Sequence, residues 1–439
     1  MSVIDLGAAE PWSPPDGPPR GSRRGRAGRR VAAVAVAVLA AALLVGAGVP
    51  GFDAPLFSLA DRVLDARLAG GMVFVTRYEV NSLGQFEGRS VTGQVRWTRP
   101  RARDTEELQL LTGGVVLISS VYGDLAAQDG TLTVLDARTG AVLWRRAAVA
   151  VYGAAGSVLV LQDVTGWTER WVGTGRGREK RLLGVDLRTG APVWDVTLAG
   201  ESLVSVGYGA GTDQLATLDE LSADGTLIRR DPGSGAETAR WPLGVRADEV
   251  NWFDVYGDRA VVSRIGVVGV EVYDGATGRV RWRYGGVEFT SVYPCTAGHW
   301  CAVDGGGIHA LDAASGREVW SVGMYNNVFG ADEDVVVAGG LGTSASPSHE
   351  TVVFPIDART GKVGARLEGW VGAYARVGRR QIVAHVDPGQ WNGYVGLYDP
   401  RTGGVRVFGR GQIGPTPRCT AEGGFVLCSG NGLNVWRLP

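Results

Sequence analysis

The sequence predicts an all-β chain folded as a propeller of four-stranded blades, and three observations carry that expectation. A segment ending in Asp, turning through Thr-Gly or Ser-Gly and resuming as a strand that ends in Trp recurs along the chain. Its six intervals from Asp136 to Asp399 average about 44 residues, the length of four short strands with their turns. The 68 glycines among 439 residues are spread throughout, as a series of tight turns requires. Apolar residues make up 45% of the chain, and 44 basic against 45 acidic side chains leave it near neutral. That balance excludes a disordered chain and a nucleic-acid binder recruited by bulk charge.

The elements follow in chain order. Residues 1–30 hold Pro11, Pro14, Pro15, Pro18 and Pro19, then Arg20, Arg23, Arg24, Arg26, Arg29 and Arg30. Such a composition buries no core and reads as a disordered basic tail. Residues 31–49 contain only Ala, Val, Leu and Gly. As a helix, 19 such residues span roughly 28 Å, about one hydrocarbon core. They are expected to form a transmembrane helix, with the basic tail cytoplasmic and everything after residue 50 extracytoplasmic. The rival reading is a cleaved secretory signal with its site among Gly46, Ala47 and Gly48; both readings export residues 50–439.

Within 50–439, seven copies of the repeat are clear, at Asp136 with Trp144, Asp186 with Trp194, Asp231 with Trp241, Asp274 with Trp282, Asp312 with Trp320, and then Asp357 and Asp399. An eighth copy is degenerate, with Arg89 in place of Asp before Thr92, Gly93 and Trp97. The Asp carboxylate is suited to accept hydrogen bonds from the turn N–H groups, and the glycine supplies a positive φ. Trp lies four residues beyond Gly in five copies, which puts it on the same strand face each time and marks it as packing between blades. Strands at Phe425–Cys428 and Leu433–Leu438 have no successor, while Pro55–Leu59 reads as an isolated last strand, so the two ends are expected to complete one blade together. Because the first copy is degenerate, eight blades is the expected number, with nine the alternative.

At these residues the chain resembles the pyrroloquinoline-quinone-like (PQQ-like) β-propeller repeat family, whose motif Ala-x-Asp-x-x-x-Gly-x-x-x-Trp is matched at Ala310, Asp312, Gly316 and Trp320. Similar units cover about residues 55–439. Two activities are associated with such propellers. The resemblance to the quinone-dependent dehydrogenases implies an adjacent-cysteine disulfide and a Ca²⁺ site, but no two cysteines here are adjacent. The resemblance to the propeller lipoprotein of outer-membrane protein assembly implies an amino-terminal lipidated cysteine, yet the first cysteine is Cys295. No cofactor and no metal site is therefore expected; His299, His309, His349 and His385 are scattered, and no Gly-x-Ser-x-Gly elbow is present.

The four cysteines fall in two close pairs, Cys295 with Cys301 and Cys419 with Cys428. Local disulfides in an oxidising compartment are the reading favoured over the other connectivities and over free thiols. Binding is placed on the loops between second and third strands, which read as long at 78–86, 122–130, 163–181, 338–350 and 387–393. These belong to neighbouring units and predict one continuous crest on the face opposite the Asp turns. The longest loop combines Trp167 and Trp171 with Arg170, Arg176 and Arg178; Trp391 and Tyr394 are weaker candidates. The function expected is a non-enzymatic, membrane-anchored extracytoplasmic propeller that binds or scaffolds a protein or a cell-envelope polymer. A ligand sensor signalling across the membrane and a PQQ-dependent dehydrogenase are the alternatives.

Overall fold

The computed structural model describes residues 53–60, 63–79, 82–102, 106–111, 114–120, 131–147, 149–163, 180–199, 201–209, 214–285, 291–323, 325, 327–340, 352–386, 392–413, 418–430 and 432–439. The chain divides into a unit of residues 1–51 and a unit of residues 52–439, and the description concerns the second. The run 31–49 and the basic tail lie outside the described residues, among which no helix is long and apolar enough to cross a membrane.

Residues 57–437 form nine sheets, each of four antiparallel strands in simple meander order. Blades 1 to 8 are continuous in sequence: 63–100, 106–147, 149–198, 203–242, 250–284, 291–323, 327–368 and 370–412. Blade 9 takes three strands from 418–437 and its outermost from Phe57–Ala60, with Phe57 opposite Val435 and Ala60 opposite Gly432. The expected joining of the two ends is thus present. The first of those three strands is Arg418–Glu422, which pairs with Phe425–Ser429 and sets Cys419 opposite Cys428.

The ring has nine blades, so the alternative count replaces the preferred eight. The degenerate copy builds a full blade because a neighbour does the work of the missing Asp. Ser90 Oγ accepts the Gln94 N–H at 3.1 Å and pairs with Thr92 Oγ1, while Arg89 Nη1 caps the Gly93 carbonyl at 2.8 Å.

Elsewhere the turn chemistry follows the expectation. In blade 6, Asp312 Oδ1 accepts from the Ser315 N–H at 2.8 Å and from its hydroxyl at 2.6 Å. Equivalent bonds recur at Asp136, Asp186, Asp231, Asp274 and Asp357, and Asp399 Oδ1 accepts the Arg401 N–H. In blades 1, 2, 3, 5 and 6 the tryptophan then docks on the turn of the next blade. Trp320 Nε1 donates to the Ala358 carbonyl at 2.8 Å and its indole lies against Gly361, which has φ +72°. Trp97, Trp144, Trp194 and Trp282 do the same on Ala137, Leu187, Pro232 and Ala313.

Trp241 departs from this pattern. It stands six residues beyond Gly235 rather than four, so it keeps the same strand face but lies one step further along. Its indole packs in the cluster between blades 4 and 5 beneath the Arg229 guanidinium, and the neighbouring turn glycine, Gly278, approaches the Pro242 carbonyl instead. In blade 9 the docking residue is Phe57, whose ring meets Gly93 of blade 1.

Nine apolar clusters of described residues lie one between each pair of successive blades. The cluster that closes the ring joins Val73 and Val75 of blade 1 to Leu427, Leu433 and Val435 of blade 9. Sheets twisted and packed face to face in a circle bury both faces, which is why their middle strands read as continuous apolar runs such as Val158–Leu161. The first strands of neighbouring blades meet one another: Ser205 Oγ donates to Asp254 Oδ1, and Arg376 Nη1 donates to the Ala331 carbonyl. They form the inner wall of the ring.

Both local disulfides are present, Cys295–Cys301 and Cys419–Cys428, with Cα separations of 5.5 and 4.1 Å. Cys419–Cys428 joins the first and second strands of blade 9, and the Cys295–Cys301 bond closes the corresponding hairpin of blade 6.

Candidate functional site

In a meander blade the connections between second and third strands open on the face opposite the Asp turns. One of the expected long loops is not there. Residues 78–86 belong mostly to the strands Met72–Glu79 and Ser82–Ser90, which pair up to Glu79 opposite Ser82. Gly84, at φ +80°, brings its backbone against the Arg77 carbonyl and keeps this end of the hairpin tight. Blade 9 also has a short connection, between Ser429 and Gly432. The expected continuous crest is therefore interrupted: the long connections, 121–130, 164–179 and 341–351, belong to blades 2, 3 and 7, whereas 387–391 of blade 8 is no longer than 265–269 of blade 5.

Trp167, Arg170, Trp171, Arg176 and Arg178, together with Trp391, lie outside the described residues. Tyr394 is described, and the structure gives it company that sequence reasoning missed. The strands Trp370–Val377, Arg380–Val386, Asn392–Asp399 and Gly404–Gln412 make up blade 8. Their register sets Trp370 opposite His385, His385 opposite Tyr394, and Tyr394 opposite Arg410. Four side chains thus form one transverse row across the whole sheet, at its loop-face end. Ring centroids are 5.3 Å apart between Trp370 and His385 and 6.2 Å between His385 and Tyr394, the latter pair stacked. The Arg410 guanidinium lies 5.6 Å from the Tyr394 ring.

The row is graded in exposure. Trp370 packs into the cluster between blades 7 and 8, His385 and Tyr394 are half-buried, and Arg410 is exposed. His385 Nδ1 lies 2.7 Å from the Gly369 carbonyl, which orients its ring. A polar–aromatic strip ending in an exposed guanidinium is suited to contact with a partner surface, where aromatic and arginine side chains contribute most. A hairpin register drawn from the sequence alone would have paired His385 with Tyr394. Trp370 and Arg410 needed the outer strands placed, and the bulge at Val395/Gly396 shifts the last of these by one residue.

Two other polar clusters lie away from this row. His309 has Asp304 Oδ1 3.3 Å from Nε2 and Glu318 Oε2 3.0 Å from Nδ1, while Asp304 also caps the Gly306 and Gly307 N–H groups. Both ring nitrogens are occupied by carboxylates, an arrangement that fixes the Asp304–Gly307 turn. Lys180, pushed down from the usual lysine range by burial, donates to the Ser202 carbonyl, and Ser202 Oγ donates to Glu220. No three His, Cys, Asp or Glu side chains among the described residues come together as a metal site.

The fold defines a closed, nine-bladed propeller of tryptophan-docked repeats. The family model described as outer membrane protein assembly factor BamB matches residues 269–406, which supports the PQQ-like repeat resemblance over blades 5 to 8. No curated protein matches the chain. Among solved structures, BamB from Moraxella catarrhalis is similar at 16% identity over 88% of this chain and 97% of its own, with a TM-score of 0.41. The computationally designed Ika8 protein is similar at 13% identity over 88% of this chain and 100% of its own, with a TM-score of 0.45. A europium-containing methanol dehydrogenase is similar at 13% identity over 86% of this chain and 85% of its own, with a TM-score of 0.38.

Proposed function

We propose that this chain is a non-enzymatic propeller that binds a protein partner through its loop face, held on the extracytoplasmic side of a membrane by residues 31–49. The observation that carries the reading is the division of labour among its aromatic side chains. The repeated tryptophans are consumed in blade-to-blade docking, whereas Trp370, His385, Tyr394 and Arg410 form a row that no repeat requires. The family description over residues 269–406, a protein assembly factor, supports a scaffold that works by contact. Two local disulfides are in keeping with an exported domain.

The test uses the full chain, solubilised from membranes after cross-linking, in three forms: the parent, Tyr394→Ala with Arg410→Ala, and Trp167→Ala with Arg170→Ala and Trp171→Ala. A defined partner retained by the parent and lost from at least one variant is the expected outcome. Equal retention by all three, or none by any, would refute the loop face as the contact surface. Alkaline phosphatase fused after residue 60 is expected to be active, and inactive once residues 31–49 are deleted.

A further inference from the structure

Eight blades carry the repeat turn, and in seven of them the preceding blade covers its glycine. A Cβ on Gly140, Gly190, Gly235, Gly316 or Gly361 would lie 2.5–2.8 Å from the docked tryptophan, while Gly93 meets Phe57 and Gly278 meets the Pro242 carbonyl. The eighth turn glycine, Gly403 of blade 8 at φ +73°, has a single described atom within 4 Å of such a Cβ, the Cβ of Ala365 at 3.8 Å. Ala365 stands four residues beyond Gly361, the spacing at which five other copies place tryptophan. The joint between blades 7 and 8 therefore lacks both the ring and the indole N–H bond.

The sequence of blade 7 explains why no dock forms. Pro355 takes the place in its third strand that Ala310 holds opposite Trp320 in blade 6. The Pro355 carbonyl accepts the Gly364 N–H at 2.8 Å, so the N–H that proline lacks would have faced the same neighbour. Its ring also crowds that neighbour, since a Cβ on Gly364 would lie 2.7 Å from Pro355 Cγ. The fourth strand of blade 7 is reduced to Leu367–Glu368, two residues, where the other blades have four to nine.

Polar groups weaken the same joint. Arg376, Gln381 and Tyr398 lie opposite one another in a row across blade 8, with Tyr398 in the cluster shared with blade 7. A Cβ on Gly330 of blade 7 would lie 3.0 Å from Gln381 Oε1 and from Arg376 Cδ, so this row faces blade 7. Arg376 Nε, Gln381 Oε1 and the Tyr398 hydroxyl are buried without a hydrogen-bond partner among the described residues, three of six such atoms. Buried groups left unpaired favour a state that admits water. Two contacts cross the Asp-turn end: the Arg376 Nη1 bond to the Ala331 carbonyl at 2.7 Å, and an exposed ion pair between Arg401 and Asp334, which contributes little. At the loop-face end Gly369, φ +77°, links the two blades covalently, and His385 Nδ1 lies 2.7 Å from its carbonyl.

The joint where the two chain ends meet is better secured. Phe57–Ala60 pairs with Gly432–Val435, Cys419–Cys428 cross-links the same blade, and Phe57 covers Gly93. We infer that the ring carries a hinge between blades 7 and 8, which part at the Asp-turn end about Gly369 before any tryptophan-docked joint or the joint of the chain ends opens.

The experiment follows alkylation of a buried thiol by iodoacetamide, read by mass spectrometry on the full oxidised chain in detergent. The four native cysteines are in disulfides and do not react. Val383→Cys reports on the joint of blades 7 and 8, Val336→Cys on that of blades 6 and 7, docked by Trp320, and Val73→Cys on that of blades 9 and 1. All three valines are 0% exposed, so each rate, divided by that of the urea-unfolded protein, measures how often its joint opens. Val383→Cys is expected to react at least about tenfold faster than the other two. Rebuilding the dock with Ala365→Trp and Pro355→Ala should slow Val383→Cys and leave Val336→Cys unchanged, whereas Trp320→Ala should speed Val336→Cys. Circular dichroism melts identify any variant that fails to fold, and the comparison of the three cysteine forms stands without the rebuilt dock. Equal rates at 383 and 336, or the fastest reaction at 73, would overturn the inference. No partner enters the assay, so the hinge and the loop-face reading stand or fall separately.

Discussion

Replacing Gly361 by alanine tests the docking geometry that repeats around the ring. A Cβ at this position would lie 2.5 Å from Trp320 Cβ and 2.6 Å from its Cγ, on a backbone at φ +72°. The left-handed conformation costs an L-residue about 1–2 kcal/mol. Forcing a methyl group against a packed indole adds about 1–3 kcal/mol, so Gly361→Ala should destabilise by roughly 2–5 kcal/mol. Gly378 supplies the control, since its φ is +59° and nothing lies within 4 Å of a Cβ there; Gly378→Ala should cost only about 1–2 kcal/mol. Trp320→Ala removes a side chain that is 7% exposed and leaves the Ala358 carbonyl unpaired by it, at about 3–5 kcal/mol. In that background the steric term of Gly361→Ala disappears and only the backbone term remains. The double-mutant cycle should therefore show a coupling of about 1–3 kcal/mol. Urea unfolding of residues 52–439, followed by far-ultraviolet circular dichroism, measures all four proteins. Effects of Gly361→Ala that are equal in the two backgrounds would refute the docking account.

Three further outcomes follow from the same structure. Cys419→Ala with Cys428→Ala opens a cross-link of sequence separation 9 within the blade that closes the ring; it should lower stability by about 2–3 kcal/mol, read as a shift in urea midpoint relative to the oxidised parent. Asp186, Asp312 and Asp357 are held below the usual carboxylate range, first by the side-chain hydroxyls of Thr189, Ser315 and Thr360 and then by the backbone N–H groups of the same residues. Because the folded values are lowered, their stabilisation is complete above the unfolded value near 3.8 and is lost as pH falls through the folded values. Asp186→Asn with Asp312→Asn should flatten the fall in thermal midpoint between neutral pH and about pH 2.5, and an unchanged profile would count against the turn assignment. Phe57→Ala removes the ring that docks on Gly93 in place of a tryptophan. It should destabilise by about 2 kcal/mol, whereas Leu56→Ala, at a 38% exposed neighbour, should cost less than about 0.5 kcal/mol by the same urea assay.

The fold was legible because its signals are local. Asp, Thr or Ser, Gly and Trp lie within nine residues of one another, eleven in the copy at Asp231, and their spacing fixes turn, φ and strand face together. The blade count fell one short of the ring because Ser90 performs hydrogen bonding that the motif assigns to Asp, and a substitute of different residue type is invisible to a pattern. The supposed long loop at 78–86 failed for a related reason: its polar composition masks strand pairing held by a close approach at Gly84. The candidate sites were less legible than the fold. Tyr394 was picked out by its place near a loop, but Trp370, His385 and Arg410 come from three other strands and meet only through register. The bonds from Tyr208 to the Tyr152 carbonyl and from Tyr374 to Asn327 are harder still to read from sequence, since they cross from blade to blade.

The central claim is that the loop face, not the Asp-turn face, meets the partner. A photo-activatable phenylalanine placed in living cells at position 394, and separately at the exposed turn residue 359, tests it most directly. The account predicts a discrete cross-linked product from 394, absent when Arg410→Ala is combined with it, and none from 359. Products of equal yield from both positions, or a product from 359 alone, would contradict it.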